Sequence, residues 1–241
     1  MRVALVGAGK RMLGTYVPIL KKMDEDVVGF MTRTQETAVS FEAATGIRRL
    51  SLLADLYKIC PDYIIVCVPP SAVSQCVRPL LSSGIPILIE TPIEDFTLLE
   101  AAHAAKASVG VLEQWPFLPL EQLKEQIFKL GLMSRPFLVK NDCRSYDYHA
   151  IAQLRTYIGR DALPVSVKGT QITRQLKSYV EGGNTRDLID SWDLAHVTFD
   201  NGAVLCHEFS YACKIAPYRS IQTLRAYSDD GTIVTGRVFD R

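Results

Sequence analysis

The feature that most limits the fold is a glycine turn directly after the first apolar run of the chain. Residues 3–6 are unbroken and apolar, which is typical of a buried parallel strand, and Gly7-Ala8-Gly9 follows at once. A helical pattern at 13–23 comes next. A strand, a tight glycine turn and a helix in this order predict the first unit of a dinucleotide-binding domain, where N–H groups at the helix N-terminus bind phosphate.

The turn departs from the usual three-glycine fingerprint at its third position. Gly7 permits the tight turn and Gly9 lets a pyrophosphate approach, but Met12 stands where a third glycine is usual. We expect this change to alter helix packing more than phosphate contact, and we include Lys10, Arg11 and Met12 among the cofactor-binding residues. An α/β protein that binds no nucleotide is the alternative interpretation.

Strand-like and helical patterns alternate along the first half of the chain. Further strands are predicted at 27–31, 63–68, 87–89 and 109–112. Helices are predicted at 36–45, 52–60, 72–82 and 98–107. Strands without polar alternation suit a sheet covered by helices on both faces, so we predict a doubly wound parallel sheet.

The pattern changes near residue 116, after which the strand-like segments are longer and more alternating. Strands are predicted at 137–141, 165–173, 195–199, 204–211 and 222–227, and helices at 120–130 and 148–158. Asp200-Asn201-Gly202 and Asp229-Asp230-Gly231 are typical hairpin turns. We predict an α/β protein with a Rossmann domain at 1–116 and a C-terminal α/β domain with a mostly antiparallel open sheet at 117–241.

The residues after the second strand are predicted to meet the adenosine ribose of the dinucleotide. A carboxylate there would favour NAD, because it bonds the ribose hydroxyls. The segment is Thr32-Arg33-Thr34 instead, with two hydroxyls and a guanidinium that can pair with a 2′-phosphate. The sequence therefore favours NADP(H) over NAD(H), and a solvated loop arginine is the alternative.

Several segments, in order, resemble the Gfo/Idh/MocA oxidoreductases, named for glucose–fructose oxidoreductase and inositol dehydrogenase. They are the glycine turn, Val66-Cys67-Val68-Pro69-Pro70, Glu90-Thr91-Pro92, Phe117-Leu118-Pro119, and Tyr148-His149 with Gly159. The resemblance covers nearly the whole chain and implies an NAD(P) cofactor, a small-molecule substrate between the two domains, and homo-oligomers that associate through the second sheet. It places Val68, Pro69, Glu90 and Thr91 beside the cofactor. The chain is shorter than usual for the family, so we expect its final strands to be absent or the chain to be a fragment.

The resemblance implies a catalytic Lys, His and Asp, of which this chain keeps one. His149 stands at the His position, Thr91 replaces the Lys, and Ser145 replaces the Asp. A neutral imidazole can act as a general base, whereas Thr91 offers only a hydroxyl. Tyr146 is a candidate donor of a phenolic proton, and Arg144 a candidate to hold an anionic substrate. The replacements favour a carbonyl, hydroxyl or imine-type substrate unlike an ordinary sugar alcohol.

His149 lies in the first turn of the helix predicted at 148–158, which Asp147 is expected to cap. The positive end of the helix dipole there disfavours a charged imidazole. A structural role is the alternative for His149, and equally for Tyr146. A non-catalytic dinucleotide-binding sensor or scaffold of the same fold would also explain the missing Lys and Asp.

The composition argues against several other classes of function. Lys plus Arg total 27 and Asp plus Glu total 26, a net charge of +1 that gives no electrostatic basis for binding nucleic acid. No stretch approaches the ~18 apolar residues of a membrane span. The six cysteines form no Cys-x-x-Cys pair. We therefore expect buried, reduced thiols, no metal site and a cytoplasmic location.

Overall fold

The computed structural model describes residues 1–143, 145–181, 184–212, 223–234 and 237–240. The chain divides into two units, Met1–Leu112 and Glu113–Arg241. The division falls shortly before residue 116, where the sequence pattern changes. Arg144 and Cys213 lie outside the described residues.

The first unit is built on a five-stranded parallel sheet with the order β2-β1-β3-β4-β5. Its strands are β1 (Arg2–Val6), β2 (Asp26–Met31), β3 (Tyr63–Val66), β4 (Ile87–Ile89) and β5 (Val109–Val111). The order reverses between β1 and β3, which lie side by side although β2 separates them along the chain. Loops at the carboxyl ends of such a pair form the usual ligand-binding edge of an open parallel sheet.

Helices connect these strands. The segment after β1 is helical from residue 10, contains a π-helical stretch at Met12–Tyr16, and continues as α1 (Val17–Lys22). The others are α2 (Gln35–Thr45), α3 (Leu53–Lys58), α4 (Pro70–Val77) and α5 (Thr97–Ala104). The helix predicted at 72–82 is shorter than expected, because Pro79 lacks an N–H and a 3-10 turn at Arg78–Leu80 follows α4.

Alternate residues of the strands pack on opposite faces of this sheet. Ala4, Val6, Ile64, Val66, Ile87 and Ile89 belong to one buried cluster, whereas Val3, Leu5, Phe30 and Ile65 belong to another. Residues of α4 and α5 join the first cluster, and residues of the π-helical stretch, α1 and α2 join the second. Both faces are therefore covered, which confirms the predicted doubly wound sheet.

The second unit holds a seven-stranded sheet with the order β12-β11-β10-β6-β9-β8-β7. Its strands are β6 (Leu138–Asp142), β7 (Pro164–Glu181), β8 (Asn184–Phe199), β9 (Val204–Ser210), β10 (Thr223–Tyr227), β11 (Gly231–Val234) and β12 (Arg237–Asp240). Only the β6–β9 pair among these described strands is parallel. The predicted fold class, with a mostly antiparallel second sheet, is confirmed.

One face of this sheet is covered by α6 (Pro119–Lys129) and α7 (Asp147–Ile158), which follow a 3-10 turn at Trp115–Phe117. The buried cluster there includes Phe128, Val139, Leu154, Tyr157, Leu205, Leu224 and Ile233. Successive residues of a strand point to opposite faces. Lys140 and Arg225 therefore lie on the other face, and both are exposed.

Strands β7 and β8 are much longer than the segments predicted at 165–173 and 195–199. They pair with each other from Pro164 opposite Phe199 to Glu181 opposite Asn184, yet β8 pairs with β9 only between Trp192 and Thr198. The rest is a two-stranded ribbon, in which Ile189 is 74% exposed. Leu176 and Leu188 pack against Ala212 and Asp190 is buried. These few positions do not produce the sustained alternation of apolar residues by which a strand is predicted from sequence.

Candidate functional site

The glycine turn connects β1 to the following helix at the point where the strand order reverses. Gly7 has a φ of 103°, and its N–H donates to the Met31 carbonyl at 2.8 Å. A Cβ on Gly7 would lie 2.0 Å from the carbonyl oxygen of Cys67, which follows β3. Glycine is required here for two reasons: two loops of the protein itself touch at this point, and the φ angle of residue 7 is positive.

Gly9 is surrounded by open space instead. A Cβ on Gly9 would meet no atom of the described residues within 4 Å. The helix begins at residue 10, and the Leu13 N–H donates to the Gly9 carbonyl at 3.0 Å. The N–H groups of the first turn have no partner inside a helix, so the open space over Gly9 suits a phosphate.

Met12 takes up space that a third glycine would leave free. Its side chain is fully buried in the cluster that includes Leu5 and Phe30. Lys10 and Arg11 remain exposed at the start of the helix. The missing glycine therefore changes packing beneath the helix, as the sequence predicts, and leaves the outer side of the turn open.

The end of β2 carries the segment Thr32-Arg33-Thr34. Arg33 is exposed, and none of the described residues makes an ion pair or hydrogen bond with its guanidinium. The Thr34 oxygen caps α2 by accepting the Thr37 N–H at 3.3 Å, and its hydroxyl lies 2.8 Å from Thr37 Oγ1. Thr34 is therefore committed to the helix cap, while Thr32 and Arg33 remain available to a ligand.

Glu90 is the centre of a polar cluster that ties the loop after β4 to the first helix. One of its oxygens accepts hydrogen bonds from the Tyr16 hydroxyl and, at 3.1 Å, from Arg11 Nε. The other accepts the N–H and the hydroxyl of Thr91, both at 3.1 Å. Burial opposes ionisation, but the hydrogen bonds from Tyr16 and Arg11 outweigh it and lower the pKa of Glu90. Glu90 is therefore negatively charged, and its hydrogen bonds join the loop after β4 to the first helix.

The remaining predicted cofactor contacts lie at the carboxyl ends of the same strands. Val68 is partly exposed and Pro69 is exposed at the start of α4, directly after β3. Thr91 precedes Pro92 in a cis peptide bond. The Thr91 hydroxyl donates to Glu90, so its oxygen keeps only its accepting capacity for other groups.

His149 lies in the first turn of α7 and is paired with a carboxylate. Its Nδ1 is 2.7 Å from Glu113 Oε2, and the two side chains are 12% and 13% exposed. The other oxygen of Glu113 accepts the Trp115 N–H at 2.9 Å. An ionised carboxylate can only accept, so Nδ1 carries a hydrogen; in the neutral form of the ring, Nε2 is then the nitrogen with a free lone pair.

Aromatic rings flank this pair. The His149 ring centroid lies 4.3 Å from that of Tyr148 and 5.8 Å from that of Trp115. Tyr146 stacks on Tyr148 with centroids 6.1 Å apart and planes 4° apart, and Phe209 lies 5.9 Å from Tyr146. Trp115 and Tyr148 therefore place aromatic rings next to the imidazole of His149.

The predicted cap of α7 is wrong. Tyr146 occupies the N-cap position and makes no side-chain capping hydrogen bond. Asp147 is already helical, and its carboxylate accepts from Nε2 of the buried His207 at 2.7 Å. Asn141 Nδ2 lies 3.2 Å from Nδ1 of the same ring. Asp147 thus connects α7 to β9, because a buried imidazole N–H must find an acceptor.

Ser145 does not supply the carboxylate that the family resemblance places at its position. It is 1% exposed, and its Oγ has no hydrogen-bond partner among the described residues. Glu113 is the partner of His149 that the sequence analysis missed, because the two residues are 36 positions apart. The position of Glu113 soon after the last parallel strand could have indicated a functional residue, since groups that face a ligand collect at the carboxyl ends of such strands.

Cys60 corrects another prediction, because it is exposed rather than buried. The described residues contain no group of three or more His, Cys, Asp or Glu side chains arranged to hold a metal ion. Among the described helices, none is long and apolar enough to cross a membrane.

The chain is similar to a known family and to known proteins. Residues 1–112 match the Gfo/Idh/MocA family model, described as an oxidoreductase family with an NAD-binding Rossmann fold. The uncharacterized protein YMR315W of Saccharomyces cerevisiae is 23% identical over 266 aligned residues, which cover 97% of this chain and 73% of the yeast protein.

Solved structures share the fold of the whole chain. An oxidoreductase from Agrobacterium radiobacter, in complex with NAD+, L-tartaric acid and magnesium, has a TM-score of 0.76 at 16% identity, covering 100% of this chain and 79% of its own. The WlbA dehydrogenase of Bordetella pertussis, with NADH and UDP-GlcNAcA, has a TM-score of 0.74 at 17% identity, covering 99% and 81%. Biliverdin reductase of Synechocystis, with biliverdin and NADP+, has a TM-score of 0.68 at 14% identity, covering 99% and 81%.

Proposed function

Because residues 1–112 match the model of the Gfo/Idh/MocA oxidoreductases with an NAD-binding Rossmann fold, we propose that the chain is an NADP(H)-dependent oxidoreductase. It moves a hydride between the nicotinamide and a small carbonyl, hydroxyl or imine-type substrate. The observation that carries the catalytic part of this proposal is the Glu113–His149 pair, which holds one imidazole nitrogen and leaves the other free.

The choice of NADP(H) rests on the end of β2. A carboxylate that would bind the ribose hydroxyls is missing from Thr32-Arg33-Thr34, and the exposed Arg33 has no partner among the described residues. A guanidinium pairs well with a phosphate dianion. The open space over Gly9 and the N–H groups of the first helical turn would hold the phosphates that link the two nucleotides. Lys10 and Arg11 add positive charge beside them.

His149 is the proton-transfer group of the proposed reaction. When bound, the nicotinamide supplies or accepts the hydride. Nε2 of His149 takes the proton from a substrate hydroxyl during oxidation, or returns one during reduction. Glu113 fixes the tautomer and stabilises the imidazolium that forms. Thr91 and Tyr146 are secondary candidates. The Thr91 oxygen can accept a hydrogen bond from a substrate hydroxyl, and the Tyr146 phenol can donate a proton.

Nucleotide binding is tested by titrating the purified protein with NADPH and NADH and following nicotinamide fluorescence. We expect tighter binding of NADPH, and Arg33→Ala should weaken it about tenfold, since a hydrogen bond to a charged group contributes roughly 1.5–3 kcal/mol. NADH binding should stay unchanged in this variant. Arg48→Ala, which removes another exposed arginine, is the control. Equal affinity of wild type and Arg33→Ala for NADPH would contradict the cofactor preference.

The role of Glu113 is tested by ¹⁵N NMR of the imidazole nitrogens at neutral pH. In the wild type we expect hydrogen on Nδ1 of His149 and a bare Nε2. Glu113→Gln should produce a mixture of tautomers, because an amide can donate as well as accept, whereas Glu113→Asp should retain a carboxylate acceptor. An unchanged tautomer in Glu113→Gln would show that Glu113 does not orient His149.

A non-catalytic dinucleotide-binding protein is the second candidate, favoured by Thr91 and the buried Ser145 where the family resemblance implies Lys and Asp. Tight NADPH binding without oxidation of NADPH by a panel of carbonyl and imine compounds would support it. Cys60, Cys67, Cys76 and Cys206 are free thiols, which supports a reducing, cytoplasmic location as part of the proposal.

A further inference from the structure

A short extended segment after α2 runs alongside β2. The Leu50 N–H donates to the Phe30 carbonyl at 2.7 Å, and the Phe30 N–H donates to the Arg48 carbonyl at 3.1 Å. Phe30 and Arg49 thereby form a parallel bridge. Gly29 permits the close approach, since a Cβ at this position would lie 2.9 Å from Leu50 Cγ. The backbone of Arg49 is therefore fixed next to β2, although α2 separates the two along the chain.

The side chain of Arg49 reaches the N-terminus of α2. Its Nη1 donates a hydrogen bond to Oε1 of Gln35, the first residue of this helix. Thr34, the N-cap of the same helix, directly follows Arg33. Two arginines from separate segments are therefore placed at the same helix end, where β2 gives way to α2.

Arg49 is a partly buried cation whose charge is not matched by a carboxylate. No acidic group of the described residues forms an ion pair with it, and its Nε is buried without a hydrogen-bond partner among them. Glu36, in the first turn of α2, is exposed and does not pair with it, and Gln35 is a neutral amide. Proteins seldom bury a charge without an opposite charge beside it. A guanidinium in this situation points to an anionic ligand.

We propose that Arg49, together with Arg33, determines cofactor specificity by binding the 2′-phosphate of NADP(H). This inference rests on the proposed function and adds a second specificity-determining residue to the nucleotide site. The adenosine ribose of a dinucleotide is expected at the end of β2. A phosphate dianion on its 2′-oxygen is a stronger acceptor for Arg49 than the Gln35 amide, whereas the 2′-hydroxyl of NAD(H) carries no charge to pair with a guanidinium.

The test is isothermal titration calorimetry of the full chain with NADP+ and NAD+, which differ only in the 2′-phosphate. Arg49→Ala should weaken NADP+ binding about tenfold, the effect of losing a hydrogen bond to a charged group, and leave NAD+ binding unchanged. Arg49→Gln keeps a donor for Gln35 without the charge, so it should remain folded and show the same loss. Arg48→Ala, at the neighbouring exposed arginine, is the matched control and should bind both nucleotides as the wild type does.

Unchanged NADP+ binding in Arg49→Ala and Arg49→Gln would overturn the inference. So would an equal loss of NADP+ and NAD+ affinity, which is the result that a merely structural role of Arg49 would produce. Both results leave the proposed oxidoreductase function standing, because the wild type still binds nucleotide. Absence of NADP+ and NAD+ binding by the wild type would overturn the proposed function and this inference with it.

Discussion

At the scale of single residues, the two glycines of the phosphate-binding turn are required for different reasons. The fold itself requires glycine at position 7, since its φ is positive and a Cβ would clash with the Cys67 carbonyl. Gly9 faces open space, so its missing side chain matters only to something that binds there. The same motif therefore combines a folding constraint with a binding constraint, and substitutions can separate them.

We predict opposite effects for alanine at these two positions. Gly7→Ala should lower the free energy of unfolding by roughly 3 kcal/mol or more, because backbone strain and a backbone clash coincide. Gly9→Ala should change it by about 0.5 kcal/mol or less, yet weaken NADPH binding at least tenfold by filling the space over the turn. Thermal denaturation and nicotinamide fluorescence measure the two effects. NADPH binding at wild-type strength in Gly9→Ala would show that no phosphate approaches this glycine.

At the scale of secondary-structure elements, α7 is held at both ends by polar contacts. Asp147 in its first turn binds His207 of β9. Near its C-terminus, the Tyr157 hydroxyl donates to Glu121 of α6 at 2.5 Å, and Glu121 pairs with the buried Lys124 at 2.9 Å. These contacts fix the helix that carries His149, so its position depends on charges distant from it in sequence.

Removing the Glu121 charge should destabilise the protein strongly. Glu121→Gln leaves Lys124 buried beside a neutral amide, and breaking a buried ion pair typically costs about 3–5 kcal/mol. The urea midpoint measured by circular dichroism should fall, whereas Glu100→Gln, at an exposed position of α5, should leave it unchanged. A stable Glu121→Gln variant would indicate that the ion pair makes no net contribution.

Glu121 also determines how the stability of the protein changes as the pH falls. Burial opposes ionisation of Glu121, but the hydrogen bonds from Lys124 and Tyr157 outweigh it and lower the pKa of this carboxyl below its usual value. Its contribution to stability is therefore complete above about pH 4.5, the ordinary range of a Glu pKa, and is lost as the pH falls through the lowered value. Stability should decline less steeply with acid in Glu121→Gln than in the wild type.

At the scale of the whole molecule, the outer face of the second sheet carries two rows of opposite charge. Lys140 lies opposite Arg225, and Asp142 lies opposite Glu208. Burial, followed by the nearby Asp142 carboxylate, raises the pKa of Glu208. Two copies packed face to face, about a two-fold axis that runs parallel to the two rows and midway between them, would place the basic row of one against the acidic row of the other.

We predict that this face mediates the self-association that the family resemblance implies. Lys140→Glu combined with Arg225→Glu should convert the oligomer to a smaller species in sedimentation velocity, because like charges would then face each other. Lys21→Glu with Lys22→Glu, the same charge change on α1, is the control. A monomeric wild type at micromolar concentration and low salt would contradict this prediction.

The sequence by itself determined the alternation of strands and helices, the doubly wound sheet and the glycine turn, because these follow from local patterns of apolar residues and turn formers. The sequence did not reveal the extent of the β7–β8 ribbon, since a ribbon with only a few buried residues carries little periodic signal. The tertiary structure decided which polar side chains are partners. Glu113 pairs with His149, and Asp147 pairs with His207. Glu90 accepts hydrogen bonds from Arg11, Tyr16 and Thr91. Hydrogen bonds between residues many positions apart depend on how strands and helices are placed in space, and residue types along the chain do not encode that placement locally.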